Sequence, residues 1–140
     1  MLDEGSGSLS EQITEESKLV RLLEKQYGFY CVILELTRNE HKMFSSKRSL
    51  EEIIPIMKKK KILLSCVDEI EEKVISIKER VREENFPSLG GEKEKELVFL
   101  IKELLKEMLA LDEKNQKALC RYVEVLEKER EKFLKEGEKK

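Results

Sequence analysis

The chain predicts an all-α fold, an antiparallel three-helix coiled-coil bundle of up-down-up topology, from three observations. Ile56, Leu63, Ile70 and Ile77 recur at every seventh position, and Lys60, Val67, Val74 and Val81 keep the same interval four residues later. Alternating steps of four and three keep one stripe of a helix turned toward a partner, and a long, charged helix holds in water mainly through such packing. Comparable stripes lie on either side of this one. Leu19, Leu23, Tyr27, Tyr30, Leu34 and Phe44 precede it, and two runs follow it, one through Val98, Leu105, Leu119, Leu126 and Phe133 and one through Leu97, Leu104, Leu111, Ala118 and Val125. The composition agrees: of 140 residues, 41% are charged, 6% are aromatic and only two are proline, which suits elongated helices better than a sheet.

Taken in order, residues 1–9 contain Gly5, Ser6, Gly7 and Ser8 and are expected as a flexible tail, leaving 10–136 as a single helical bundle. Ser8 with Glu11, or Ser10 alone, is suited to cap a first helix over about 11–44. Ser45, Ser46 and Ser49 punctuate its end only weakly. Ser49 with Glu52 forms a capping-box pattern for a second helix over 50–85. Pro55 lies inside that helix, where a proline removes a hydrogen bond and crowds the preceding turn. A bend or break near 55 is therefore expected, with the long helix counted from Pro55 as a favourable first position. Pro87, Gly90 and Gly91 end the helix near Asn85, and a third runs over about 92–135, closed by Gly137. Connections this short make each helix reverse on its predecessor. Glu69 with Lys73, Glu113 with Lys117 and Glu124 with Lys128 lie one turn apart in the favourable order, each contributing at most ~0.5 kcal/mol.

Charge and cysteine usage narrow the function. Residues 1–45 carry 5 basic and 8 acidic groups, 46–86 carry 10 and 9, and 87–140 carry 13 and 13. No segment has the basic excess that neutralising nucleic-acid phosphates requires, so nucleic acid is not expected as a partner. Lys58 to Lys61 form the one basic run, expected as a solvated face with Lys60 lying along the seam by its methylene stem. Cys31, Cys66 and Cys120 fall one per helix and read as small buried hydrophobes in a reducing compartment. No stretch approaches the ~20 apolar residues of a membrane span, and the N-terminus has no signal-peptide pattern, so a cytoplasmic location is expected.

No enzyme, cofactor or metal reading is supported. The single histidine, His41, is in phase with Leu34, Thr37 and Phe44 and is expected to pack half-buried. Glycine-rich phosphate loops, nucleophile elbows and paired Glu-x-x-His motifs are absent from the sequence. Asn115, seven residues after Met108 and seven before Tyr122, lies on the apolar side of the third helix. A lone asparagine on a seam sets register at some cost in stability. The other reading of Asn115 is a contact with a bound partner.

The third helix carries more apolar surface than two neighbours need. Leu97, Leu100, Ile101, Leu104, Leu105, Met108, Leu109 and Leu111 cover most of its first half. Beyond Asn115, Leu119, Tyr122, Val123, Leu126, Phe133 and Leu134 run past the reach of a ~30-residue second helix at ~1.5 Å per residue. Leu119, Tyr122, Val123, Leu126 and Phe133, with Asn115, are the candidate partner-binding residues. A stripe of this kind pairs with a copy of itself or receives an amphipathic helix.

Two stretches resemble the FlgN-type flagellar export chaperones. Ile33-Leu34-Glu35-Leu36-Thr37, Glu40, then Leu50, Ile53 and Ile54, then Lys60-Lys61-Ile62-Leu63-Leu64 is similar to the first hairpin of that family. Leu111-Asp112-Glu113-Lys114-Asn115-Gln116-Lys117-Ala118-Leu119 is similar to the family's stretch of leucine, polar triplet, asparagine and leucine in the third helix. Lys58 and Lys59 stand where the family often has glutamates. Family members can carry a longer C-terminal segment used at the export gate, whereas this chain stops after Glu136-Gly137-Glu138-Lys139-Lys140, which weakens gate docking by that route. The resemblance implies a cytoplasmic secretion chaperone that shields the amphipathic terminal helix of a hook-filament junction subunit (FlgK- or FlgL-like) until export, with the export apparatus as a second partner. The rival readings are a structural or adaptor coiled coil that self-associates, as a homodimer for example, and a helical hairpin that regulates a secretion ATPase through the lysine run.

Overall fold

The computed structural model describes residues 2–83 and 91–138, with side chains from Glu15 onward. Three helices account for nearly all of them: α1 (Leu2–Ser45), α2 (Leu50–Glu83) and α3 (Gly91–Glu138). Gln26 reaches Glu71 and Glu40 reaches Lys60, so α1 and α2 are antiparallel. Lys78 pairs with Glu94 and Lys60 with Asp112, so α3 reverses again and runs parallel to α1. This is the up-down-up three-helix bundle that the sequence predicts. The helices are not equivalent, however. α1 packs along both partners, while the backbones of α2 and α3 approach each other far less closely.

Local chemistry explains the turn between α1 and α2. Arg48 N–H donates to the carbonyl of Met43 at 3.0 Å and Lys47 N–H to that of Phe44 at 3.1 Å, a Schellman closure with Lys47 in the left-handed region at φ 56°. Glycine normally fills that position, and its absence is why the helix end is weakly marked in the sequence. Ile53 N–H and Glu52 N–H both donate to the Ser49 carbonyl, opening α2 where the serine predicts, while the Glu52 carboxylate turns to Arg48 at 3.7 Å.

α2 differs from expectation at Pro55, where it remains helical from Leu50 onward. The hydrogen bond that Pro55 lacks would end on the carbonyl of Glu51, in the exposed first turn, where solvent water can donate to that carbonyl instead. The second helix therefore counts from Leu50, which lengthens it by five residues, or roughly 7.5 Å. α1 also begins earlier than expected: residues 2–9, read as a tail, have helical backbone. Gly5 and Gly7 each cost ~1 kcal/mol in a helix, which weakens it without breaking it. The expected end of the second helix near Asn85, with Pro87 and Gly90, lies outside the described residues. Gly91 opens α3 with φ 49°, a conformation that a side chain would strain.

The core follows the heptads. Ile70, Val74, Ile77 and Val81 of α2 meet Leu19 and Leu23 of α1 and Leu97 and Ile101 of α3 in one buried cluster. A second cluster joins Ile33, Leu34, Val67 and Met108. Of the predicted seam, Ile56 and Leu63 are half-buried and the other members are buried. In α3 the inward stripe is the one through Leu97, Leu104, Leu111 and Ala118, joined by Ile101, Met108 and Asn115. The Val98 run lies at its edge and is exposed from Leu126 on. The cysteines depart from expectation, since Cys31 and Cys66 are half-buried and Cys120 is exposed, all as free thiols. As small residues on a surface this crowded with long charged side chains, they need no core position.

Candidate functional site

Between the second apolar cluster and the α1–α2 turn, all three helices contribute polar groups to a single layer. Glu40 of α1 is only 4% exposed, and its Oε1 lies 2.7 Å from Lys60 Nζ of α2. That contact is an ion pair off the donor axis: Oε1 accepts no aligned hydrogen bond. Lys60 Nζ instead donates to Asp112 Oδ1 of α3 at 2.8 Å. Burial pushes the Glu40 carboxyl above its ordinary range, Lys60 opposes the rise and Asp112 adds to it. Lys60 is thus not a snorkelling surface residue of the lysine run. Its ammonium ties the three helices together, and the run is reduced to Lys58, Lys59 and Lys61 as exposed cations.

Asn115 lies in the same layer. Its Nδ2 donates to the backbone carbonyl of Thr37 at 3.2 Å, and its Oδ1 lies 3.3 Å from Nδ1 of half-buried His41. The Thr37 carbonyl sits on the side of α1 facing α3, so Asn115 fixes the parallel register of those two helices. Buried and engaged on both ends of its amide, Asn115 has no surface to offer a partner in this conformation.

Two turns further on, α3 passes the corner made by α1 and α2. Tyr122 donates its hydroxyl to the carbonyl of Arg48 at 2.7 Å, and its ring meets Phe44 edge-on, with centroids 5.5 Å apart at 66°. The expectation that Tyr122 belongs to an uncovered stripe is corrected accordingly: it is half-buried and pins α3 to the turn. The reason is the continuity of α2 through Pro55, which carries the corner farther along α3 than a helix starting at 55 would. Tyr122→Phe is expected to lower stability by about 0.5–1 kcal/mol, as a small decrease in Tm, because one partly solvated hydrogen bond is lost and the edge-on packing stays.

Past Tyr122, every residue from Val123 to Glu138 is exposed, and α3 projects roughly 24 Å beyond the corner. Val123, Leu126 and Phe133 stand uncovered there, Leu126 at 51% and Phe133 at 73% exposure, together with Val125 and Leu134. Leu119 is half-buried and lines a smaller cleft, about 250 Å³, over the polar layer. Where α3 leaves the bundle, a groove of about 750 Å³ opens between it and the corner. Phe44, Leu50, Tyr122, Val125 and Leu126 supply its apolar lining, and Lys47, Glu51, Arg121 and Glu129 its charges.

The structure therefore separates the sequence candidates. Tyr122 and Leu126 share the groove, Val123 and Phe133 lie on the exposed projection, Leu119 faces the cleft and Asn115 is internal. Phe44, Leu50 and Val125 were not foreseen as part of a binding surface. Val125 ends an apolar run that reads as core, and only the position of the corner turns it outward. The buried ion pairs did leave a signal. Asp112 falls in the gap between Leu105 and Leu119, Lys60 is the one charged member of its run, and Glu40 follows Leu19, Gln26 and Ile33 at sevens.

Among the described residues, no group of three or more His, Cys, Asp or Glu side chains is placed to hold a metal ion, and no helix is long and apolar enough to cross a membrane. Compared with family models, with curated proteins and with solved structures, the chain finds no match in any of the three.

Proposed function

We propose that the chain is a helical chaperone that holds an amphipathic helix of a client protein in the groove between projecting α3 and the α1–α2 corner. The observation that carries this reading is the groove itself: an apolar lining bounded by charges of both signs, at the foot of a helix whose own apolar residues find no intramolecular partner. A helix laid into it would bury Leu126, Val125 and Leu50 and extend the three-helix packing by one more member. The likeness of the Leu111–Leu119 stretch and of the first hairpin to FlgN-type chaperones suggests the client class, the terminal helix of a hook-filament junction subunit held in the cytoplasm before export. A self-associating adaptor is the competing reading, since the same uncovered residues suit a second copy.

One preparation separates the two. Titrating the full chain with a peptide of such a terminal helix is expected to show binding that Leu126→Ala with Phe133→Ala weakens by at least ~thirtyfold, since a central interface anchor contributes ≥ ~2 kcal/mol. Both side chains are exposed, so Tm is expected to stay within about 2 °C. Undiminished peptide binding by the folded double variant would overturn the site. A dimer of the wild type in sedimentation that the same substitutions dissociate, with no peptide binding, would support the adaptor instead.

A further inference from the structure

A second groove, about 580 Å³, lies between α1 and α2 near the opposite end of the bundle, and no α3 residue lines it. At this level the contacts to α3 leave from other positions, Glu24 toward Lys93 and Lys78 toward Glu94. The floor is apolar, made by Leu22 and Ile77. The walls carry Lys18 and Arg21 from α1 and Lys73 and Arg80 from α2, against, among the described residues, the single lining carboxylate of Glu72. Glu15 beside them is shared, its oxygens 3.7 Å from Lys18 Nζ and 3.3 Å from Arg80 Nη2. Among the described residues, Arg21 and Lys73 have no carboxylate within ion-pairing distance. A chain of formal net charge −2 thus concentrates a positive excess on one groove with an apolar floor.

We propose that this groove docks an acidic amphipathic helix of a protein partner, at a site separate from the α3 groove. Apolar side chains of such a helix rest on half-buried Leu22 and the methylene stems of Lys18 and Lys73, over buried Ile77, and its carboxylates reach Arg21 and Lys73. Lys73 and Arg80, seven residues apart, stand roughly 10.5 Å apart along α2, the spacing of carboxylates two turns apart on the partner. A nucleic acid suits the groove less well, because Glu15 and Glu72 would face its phosphates and the floor gives a sugar-phosphate backbone nothing to bond. Complementary charge here governs encounter and orientation, so binding should be strongly salt-dependent.

The test uses the full chain and a labelled amphipathic peptide with leucines at steps of three and four flanked by glutamates, read by fluorescence anisotropy. Saturable binding is expected, weakened at least ~tenfold by raising salt from 50 to 500 mM and at least ~tenfold by Arg21→Glu with Lys73→Glu, at unchanged Tm. The Leu126→Ala, Phe133→Ala variant is expected to bind this peptide as the wild type does, whichever way the client experiment falls. Absence of binding at about 100 µM, equal binding of a peptide with glutamines for glutamates, unchanged affinity in the charge-reversal variant, or loss of binding in the α3 variant would each overturn the proposal. Tighter binding of a single-stranded oligonucleotide than of the peptide would overturn it in favour of a nucleic-acid surface.

Discussion

Ile70→Asp is expected to lower the unfolding free energy by on the order of 4 kcal/mol, or roughly 12–20 °C in Tm. Ile70 is 6% exposed and sits in the cluster with Leu19, Leu23, Val74, Ile77, Leu97 and Ile101, a core to which all three helices contribute. The substitution removes a buried side chain worth about 1.5–3 kcal/mol by transfer and places a carboxylate where no cation of the cluster answers it. Ile75→Asp, five residues on in the same helix, is the control. Ile75 is 47% exposed, and its replacement is expected to change Tm by no more than a degree or two. Thermal melts of the two variants followed by circular dichroism decide the matter: similar Tm values for both would mean that the α2 seam does not face inward.

Lys60→Ala is expected to cost about 3–5 kcal/mol near pH 7.5, because it leaves Glu40 buried beside Asp112 with no cation between them. The pH dependence gives the signature. Burial already raises the Glu40 carboxyl above its ordinary value, so the folded protein holds that proton more tightly than the unfolded chain. Stability from this group therefore declines as pH rises through the window above the ordinary carboxylate range. Deleting Lys60 removes the attraction that opposes the rise and moves the carboxyl higher still. The deficit of Lys60→Ala against the wild type should accordingly be largest at neutral pH and narrow toward pH 4.5, as Glu40 takes up its proton and the uncompensated charge is lost. Adding Glu40→Gln should recover much of the loss at pH 7.5, since the uncompensated charge is gone. A deficit that is the same at both pH values would show that Lys60 acts through its methylene packing alone.

The polar layer divides this fold into segments with different tasks. On one side of it, apolar clusters hold three helices together. On the other, Phe44, Ile53 and Tyr122 close the α1–α2 corner, and α3 alone continues. Asn115 on the Thr37 carbonyl and Tyr122 on the Arg48 carbonyl set how far α3 slides along α1. A shift of one turn, about 5.4 Å, would lose both hydrogen bonds and move the groove relative to Leu126. The register of the bundle and the geometry of the candidate site are thus controlled by the same two side chains.

What the sequence by itself determined is the helix count, the topology and the α2 seam, because a sevenfold apolar repeat has one low-energy arrangement on a helix and short connections allow one order of reversal. It also indicated that the end of α3 would be left uncovered, since helix lengths add linearly. Only the tertiary structure decided where that uncovered surface begins. Pro55 is tolerated because its lost hydrogen bond falls in an exposed first turn, α2 is therefore longer, and Tyr122 becomes an anchor where the periodicity alone left it among the exposed residues. Lys60, Glu40 and Asp112 each interrupt an apolar run of their own helix, but nothing along one helix says that the three meet. Their meeting is a property of three registers at once, and the energy of a buried ion pair depends on distances between segments 20 to 72 residues apart in sequence, which no single-helix pattern contains.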